Sequence, residues 1–258
     1  MFISNAHLIE VFFTKLALNL KSEASKTYLS YVWWLLEPAL MVAVFYVVFA
    51  VLLLRGGPDF IIFLICGKIP FLWFSKSVMN SSNSIVSGRG LINQVSIPKP
   101  FFPMLVVFQD AFKQFIVFLF MLVFLSLYGM EMSWVWLSII FVILAQFLLI
   151  SAASLFAAAV TPFLPDFRYL IATGMMALMF GSGVFYSYKD VILPEHQQLF
   201  LMNPIANLIK NYRQVLMHNT LPDWSALAYI SLASILIIVI MAWYYKRTDT
   251  AYARLIAQ

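Results

Sequence analysis

Apolar residues fall in long blocks separated by short polar breaks, and six blocks are long enough to cross a bilayer. A helix that spans the hydrocarbon core needs about 20 predominantly apolar residues. Such blocks run from Tyr31 to Leu54, Phe60 to Ser84, Pro103 to Tyr128, Trp134 to Thr161, Phe167 to Tyr188 and Trp224 to Tyr245. The first two are joined by the turn-forming stretch "RGGPD", the third and fourth around "GMEMS". The fourth and fifth meet at "TPFLPDF", where two prolines end a helix. The pattern predicts an all-α polytopic membrane protein with six transmembrane helices, built as a single domain over residues 1–258.

Two segments depart from this pattern. Within residues 1–28, Leu8, Ile9, Phe12, Phe13, Leu16 and Leu20 recur at helical spacing, with Glu10, Thr14, Lys15 and Asn19 on the other face. That is an amphipathic helix too polar to span, suited to the membrane interface or to a partner's surface. Residues 189–223, between the last two blocks, hold two apolar pieces, Val191–Met202 and Ile205–Met217, broken at Asn203-Pro204. Each is too short to cross, and Pro204 both stops one helix and suits the start of the next. They predict a short re-entrant or periplasmic helical hairpin, or one resting on the outer leaflet. Residues 224–258 then supply the sixth span and a cytoplasmic tail.

Composition agrees with the pattern. The chain is 63% hydrophobic and 10% charged, with a mean hydropathy of +0.92; soluble domains carry about 25% charged residues. The net charge of +5 reads as basic residues flanking spans on the cytoplasmic side, not as a nucleic-acid surface. With both termini in the cytoplasm, nine Lys and Arg fall inside (Lys15, Lys21, Lys26, Arg89, Lys99, Arg168, Lys246, Arg247, Arg254), and four outside (Arg55, Lys189, Lys210, Arg213). The lone Cys66 excludes an intrachain disulfide and any cysteine-based metal site. The N-terminus lacks a short apolar core followed by a small-residue cleavage site, so the first span is expected to drive insertion.

Enzyme chemistry finds little support. Gly67-Lys68 lacks the glycine spacing of a phosphate loop and is followed by Ile69. The three histidines are far apart, and no carboxylate pair suits glycosyl chemistry. Ionisable groups do occur inside the blocks. Asp110 and Lys113 stand three apart on one helix, as a neutralising pair or an ion relay. Lys68 and Lys76, eight apart, differ by roughly 80° around a helix and so face broadly the same way. The stretch "SKSVMNSSNS" beside them is rich in hydroxyls and amides and must meet protein or water on one side. Glu37, within the first block, needs a partner or a cavity. Transport is the function class left, and a powered transporter needs an ATPase on another chain.

Several motifs resemble a known family. The run "SYVWWLLEPALMVAVFYVVF", with Trp33, Trp34, Leu35, Leu36, Glu37 and Pro38, is similar to the first span of ABC-2 type exporters of surface polysaccharides. "SIPKPFFP" resembles their cytoplasmic stretch before span three, without the acidic residue that often follows the basic one. "DFRYL" resembles the loop before span five, with Arg168-Tyr169 where many members have Arg-Asp. "GVFYSYKDVILPEHQQLFLMNPIANLIKNYRQVLM" is the most specific match, with Phe185, Tyr186, Pro194, Asn203, Pro204 and Arg213 in the family's places. The likeness covers nearly the whole chain and is nearest to permeases of O-antigen exporters.

The resemblance implies a homodimer in the bacterial inner membrane, bound to two copies of a cytosolic ATPase that holds ATP and Mg. This chain then carries no cofactor of its own. The cargo implied is an undecaprenyl-diphosphate-linked glycan. Aromatic rings suit that task, because sugar C–H faces stack on them weakly enough for a chain to slide. Tyr31, Trp33, Trp34, Phe45, Tyr46, Phe185, Tyr186 and Tyr188 are the expected channel lining, with interface anchoring or lipid packing as the alternative. Glu37 and Pro38 are expected at the cytoplasmic entrance. Asn203, Pro204, Asn207, Tyr212 and Arg213 are expected at the outer gate, and Arg89, Pro98, Lys99 and Pro100 at the coupling segment to the ATPase. A capsule or teichoic-acid exporter is the nearest alternative; an ion or small-solute channel is the alternative of another class.

Overall fold

The computed structural model describes residues 5–25, 28–54, 57, 59–92, 94, 97–190 and 193–257. Arg55, Gly56 and Pro58 of the first turn, and Ser96 of the "SIPKPFFP" stretch, lie outside the described residues. Every regular element among the described residues is helical. The chain runs α1 (Asn5–Ser25), α2 (Ser30–Leu52), α3 (Phe60–Ser82), α4 (Phe101–Leu127), α5 (Trp134–Val160), α6 (Phe167–Gly181), α7 (Pro194–Leu201), α8 (Pro204–Leu216) and α9 (Trp224–Ala257). Two single turns, Ser84–Ser87 and Arg89–Ile92, link α3 to α4.

Among the described residues five helices are long and apolar enough to cross a membrane: α2, α3, α4, α5 and the Trp224–Thr248 part of α9. The 23 residues of α3 extend about 34 Å at 1.5 Å per residue, against about 30 Å of hydrocarbon. The fifth predicted span is shorter than expected. The block runs to Tyr188, but α6 stops at Gly181 after 15 residues, about 22 Å. The cause is local. Gly183 takes φ +69°, a left-handed conformation that glycine adopts without strain, and the chain turns there. Val184 and Phe185 then fold back into the core instead of extending the helix. Hydropathy reads these two buried loop residues as more span.

α3 is the axis of the bundle and packs on α2, α4, α5, α6 and α8. It is the most deeply buried of the spans, and its serine-rich half contributes Ser77, Ser81 and Ser82 to the interior. α5 packs between α3 and α9. At one end α9 is tied to α5 by two buried tyrosines: Tyr245 Oη donates to Leu155 O at 2.8 Å and Tyr252 Oη to Ala159 O at 2.7 Å. α1 lies across the start of α4, with Phe12 edge-on to Phe101 and Phe108. Ile9 and Phe13 on the same helix remain exposed, so only part of its apolar surface is covered. This is called the α1 end below.

The opposite end carries the predicted hairpin, α7 and α8, with its break at Asn203-Pro204 as expected. Asn203 makes the break. Its Oδ1 accepts from Ile205 N at 3.0 Å and caps α8, while its Nδ2 donates to Ser182 Oγ at 2.9 Å. Asp223 joins the hairpin to α9. Its backbone N donates to Asn211 Oδ1 at 2.6 Å, and its Oδ1 accepts from Ala226 N at 3.2 Å at the first turn of α9. α2 and α6 are the least covered of the apolar helices: α2 buries Trp34, Pro38 and Val42, and α6 has no buried residue.

Candidate functional site

The α2–α3 pair positions a first group of the residues singled out from the sequence. The helices run antiparallel, and Glu37 and Phe45 on α2 are eight residues apart, as are Lys68 and Lys76 on α3. The equal spacings meet. Lys76 Nζ lies 2.6 Å from Glu37 Oε1, and Lys68 Nζ sits over the Phe45 ring, 4.3 Å from its centroid. The Glu37–Lys76 pair lines one cavity, and the Lys68–Phe45 pair packs behind the wall of another, where Phe45 meets Phe185.

At the α1 end a cavity of about 420 Å³ opens between α2, α3 and α4, with Glu23 of α1 at its edge. Trp33, Trp34, Glu37, Lys76, Asn80 and Lys113 are part of its wall. Asp110 Oδ1 is 2.8 Å from Lys113 Nζ, and Asn80 Nδ2 donates to Asp110 Oδ2 at 3.1 Å. Lys113 also reaches Glu23 Oε1 at 3.0 Å, and Gln109 Nε2 donates to Glu23 Oε2 at 2.6 Å. Trp33 is exposed; Trp34 is buried and meets Tyr31 edge-on at 5.0 Å. Pro38 is buried inside the helical run Trp33–Tyr46. Three residues of this wall carry buried polar atoms without a hydrogen-bond partner: Trp73 Nε1, Ser77 Oγ and Gln114 Nε2.

At the hairpin end a cavity of about 740 Å³ has a nearly continuous aromatic wall of Phe49, Phe60, Phe63, Phe180, Phe185 and Tyr186. Phe185 is its centre, stacked on Phe49 at 5.0 Å and tilted against Phe45 at 4.7 Å and Phe180 at 5.5 Å. Tyr186 Oη donates to Phe180 O at 2.8 Å, which fixes the ring at the mouth. Tyr188 lies beside Lys210, whose Nζ is 5.8 Å from its ring centroid.

Arg213 holds this end together. Its guanidinium is buried and lies 3.3 Å from the Phe63 ring centroid. Nη1 donates to Gly183 O at 2.8 Å and Nη2 to Val184 O at 2.9 Å, with longer contacts to Phe63 O and Tyr186 O. One side chain from α8 therefore fixes the loop after α6 to the start of α3. Close approach requires glycine opposite: a Cβ on Gly67 would stand 2.7 Å from Arg213 Nη2 and 3.1 Å from Val184 O.

The remaining candidates scatter. Tyr46 turns away from Phe45 into an apolar groove between α2, α3 and α4. Tyr212 points into the core, fully buried and stacked on Phe118 at 5.8 Å. Asn207 Nδ2 donates to Leu201 O at 3.2 Å across the hairpin turn. In the coupling segment Arg89 and Pro98 are exposed, Pro100 precedes α4, and Lys99 is buried with Nζ donating to Ile97 O at 3.3 Å. Arg89 and Arg168 both line a cavity of about 230 Å³ at the α1 end. Gly67, Glu23 and Lys76's pairing with Glu37 were not singled out from sequence. Only the last had a signal, the matched eight-residue spacings.

A multi-pass helical protein with an aromatic cavity at one end and a charged one at the other fits the membrane-transport class. The comparisons with known proteins agree with it. The chain is 23% identical over 240 residues to the O-antigen export system permease protein RfbA of Klebsiella pneumoniae, covering 92% of each chain. It is 25% identical over 221 residues to RfbA of Myxococcus xanthus, covering 85% of each. The polysialic acid transport protein KpsM of Escherichia coli is 22% identical over 246 residues, with 90% and 91% covered. No family model matches the chain. The resemblance read from its motifs is borne out: along nearly its whole length the chain is similar to permeases of O-antigen export systems.

Proposed function

We propose that this chain is the permease subunit of an ATP-driven exporter that moves an undecaprenyl-diphosphate-linked O-antigen polysaccharide across the bacterial inner membrane. The end-to-end similarity to O-antigen export permeases carries this reading. Two copies pack side by side and enclose the channel, and two copies of a cytosolic ATPase bind at the α1 end and hold ATP and Mg. Both termini are cytoplasmic, so the hairpin lies outside. Support for the channel's position comes from α2 and α6, which present the least covered surfaces and share the Phe45, Phe180 and Phe185 rings. The phenyl wall offers weak stacking to successive sugars. The Asn203-Pro204 hairpin is the outer gate. The Arg89–Pro100 region, with exposed Arg89 and Pro98, receives the push of the ATPase.

Deleting the gene tests the reading. Loss of surface glycan with build-up of the polyprenyl-linked chain inside the cell supports it; unchanged surface glycan overturns it. The similarity to KpsM favours one second reading, a capsule exporter of the same kind. The composition of the accumulated glycan decides between the two.

A further inference from the structure

The polar cavity at the α1 end and the apolar groove above it adjoin. The groove, about 410 Å³, lies between the same three helices, and Pro38 and Val117 line both spaces. Each volume is within the range of small-molecule pockets, about 300–1,000 Å³. The lower space offers rings, carboxylates, amides and hydroxyls. The upper space is walled by residues such as Ala39, Val42, Ile65 and Phe124, with Tyr46 the one polar tip. A polar chamber adjoining an apolar one, aligned along membrane helices, matches the two halves of an amphiphile.

The charges select the headgroup. Glu23, Glu37 and Asp110 line the polar chamber against Lys76 and Lys113, so carboxylates exceed cations by one. A phosphate or diphosphate brings further negative charge and is disfavoured. An uncharged sugar is not: its hydroxyls donate to the carboxylates, accept from Asn80 and Gln114, and its ring stacks on Trp33. The unpartnered Gln114 Nε2, Ser77 Oγ and Trp73 Nε1 are the second, independent sign, because a buried polar atom without a partner costs free energy that a hydroxyl-rich guest or water relieves.

We propose that this cavity and groove form one site, inside a single protomer, for a glycolipid with an uncharged sugar head: sugar beside Trp33 and Glu37, hydrocarbon along α2 and α4 toward Tyr46 and Phe124. The site does not depend on what is exported, and the diphosphate-linked cargo is a poor fit to it.

The test uses the full chain in phosphatidylcholine nanodiscs and a photoreactive alkyl glucoside with a diazirine in its tail. The control is the same tail on phosphocholine. The expected result is glucoside labelling of the α2 and α4 peptides holding Tyr46 and Phe124, competed by unlabelled alkyl glucoside. Gln114→Leu and Trp33→Leu each lower that labelling about fivefold and leave the phosphocholine signal unchanged. Trp33 is exposed, so its variant keeps the fold if Gln114→Leu does not. Equal labelling by both probes, or glucoside labelling unmoved in a folded variant, overturns the proposal and leaves a crevice filled by ordinary bilayer lipid. Export in the deletion strain is measured separately, so either reading can fail alone.

Discussion

The two ends of the α2–α3 pair treat their cations in opposite ways. At the hairpin end, Lys68 meets rings and the Met179 sulfur, and Arg213 meets a ring and backbone carbonyls. At the α1 end, Lys76 and Lys113 meet Glu37, Asp110 and Glu23. A carbonyl cannot swing aside without moving its chain, whereas a carboxylate on a flexible side chain can change partner. The hairpin end is therefore locked in place, and the α1 end has contacts that a polar ligand can exchange. For the exporter proposed above, the locked end suits a mouth that holds its shape and the exchangeable end an entrance that adapts.

Breaking the lock has the largest expected effect. Arg213→Met strands the carbonyls of Gly183 and Val184 and frees the loop after α6 from α3. At about 1–3 kcal/mol for each of the two stranded buried groups, the loss is about 2–6 kcal/mol. Arg213→Lys recovers little, because a lysine lacks the planar fork that reaches several carbonyls at once. Thermal unfolding of the purified protein in detergent measures both. A variant that melts with the wild type removes the lock from the account. Gly67→Ala attacks the same joint from α3. The added methyl forces Arg213 and the Val184 carbonyl apart, an overpacking cost of about 1–3 kcal/mol. If Gly67→Ala leaves the melting temperature unchanged, the guanidinium is not held as tightly as the geometry indicates.

The lock also shows what sequence conveys and what it hides. Long apolar blocks announced α2 to α5 and α9, since no other arrangement places so many apolar residues in lipid. Asn203-Pro204 announced the hairpin, since a cap followed by proline is a local rule. The end of α6 was hidden because Val184 and Phe185 are as apolar as a span yet sit in a buried turn. Arg213 stood out as a family position, but its partners are carbonyls, which any residue supplies, so its role had no signature. Asp110–Lys113 spacing indicated a pair; Glu23, 87 residues away from Asp110, joins it only through the packing of α1 on α4. Phe45 and Tyr46 are both candidates by sequence, yet adjacent residues on a helix point about 100° apart: Phe45 packs against Phe185 of the aromatic wall, and Tyr46 lines the apolar groove.

Substitutions at the α1 end sharpen the comparison, with smaller effects. Asp110→Asn removes a carboxylate whose side chain is 8% exposed and leaves Lys113 with Glu23 alone, at a cost of about 1–3 kcal/mol. Glu37→Gln breaks a pair in which both side chains are 37% exposed, and costs less than about 1 kcal/mol. Melting curves that rank Arg213→Met above Asp110→Asn above Glu37→Gln support the division into locked and exchangeable ends. A Glu37→Gln loss as large as that of Arg213→Met erases it.

The smallest effect lies where the hairpin meets α9 and depends on pH. Asp223 is held below the ordinary aspartate value of 3.8, first by the Ser225 hydroxyl, then by the Ala226 N–H and Lys210, against a partial burial that raises it. A folded-state value below the unfolded one adds stability above pH 3.8, and the contribution disappears as pH falls through the folded value. Asp223→Asn should therefore melt below the wild type near neutral pH, with the gap closing on acidification past that point. Following both proteins by thermal unfolding from neutral to acid pH isolates the one carboxylate, because all others titrate alike in the two. A gap that persists unchanged into acid means that the carboxylate's charge contributes nothing at this joint, and that the asparagine loses only the shape of the cap.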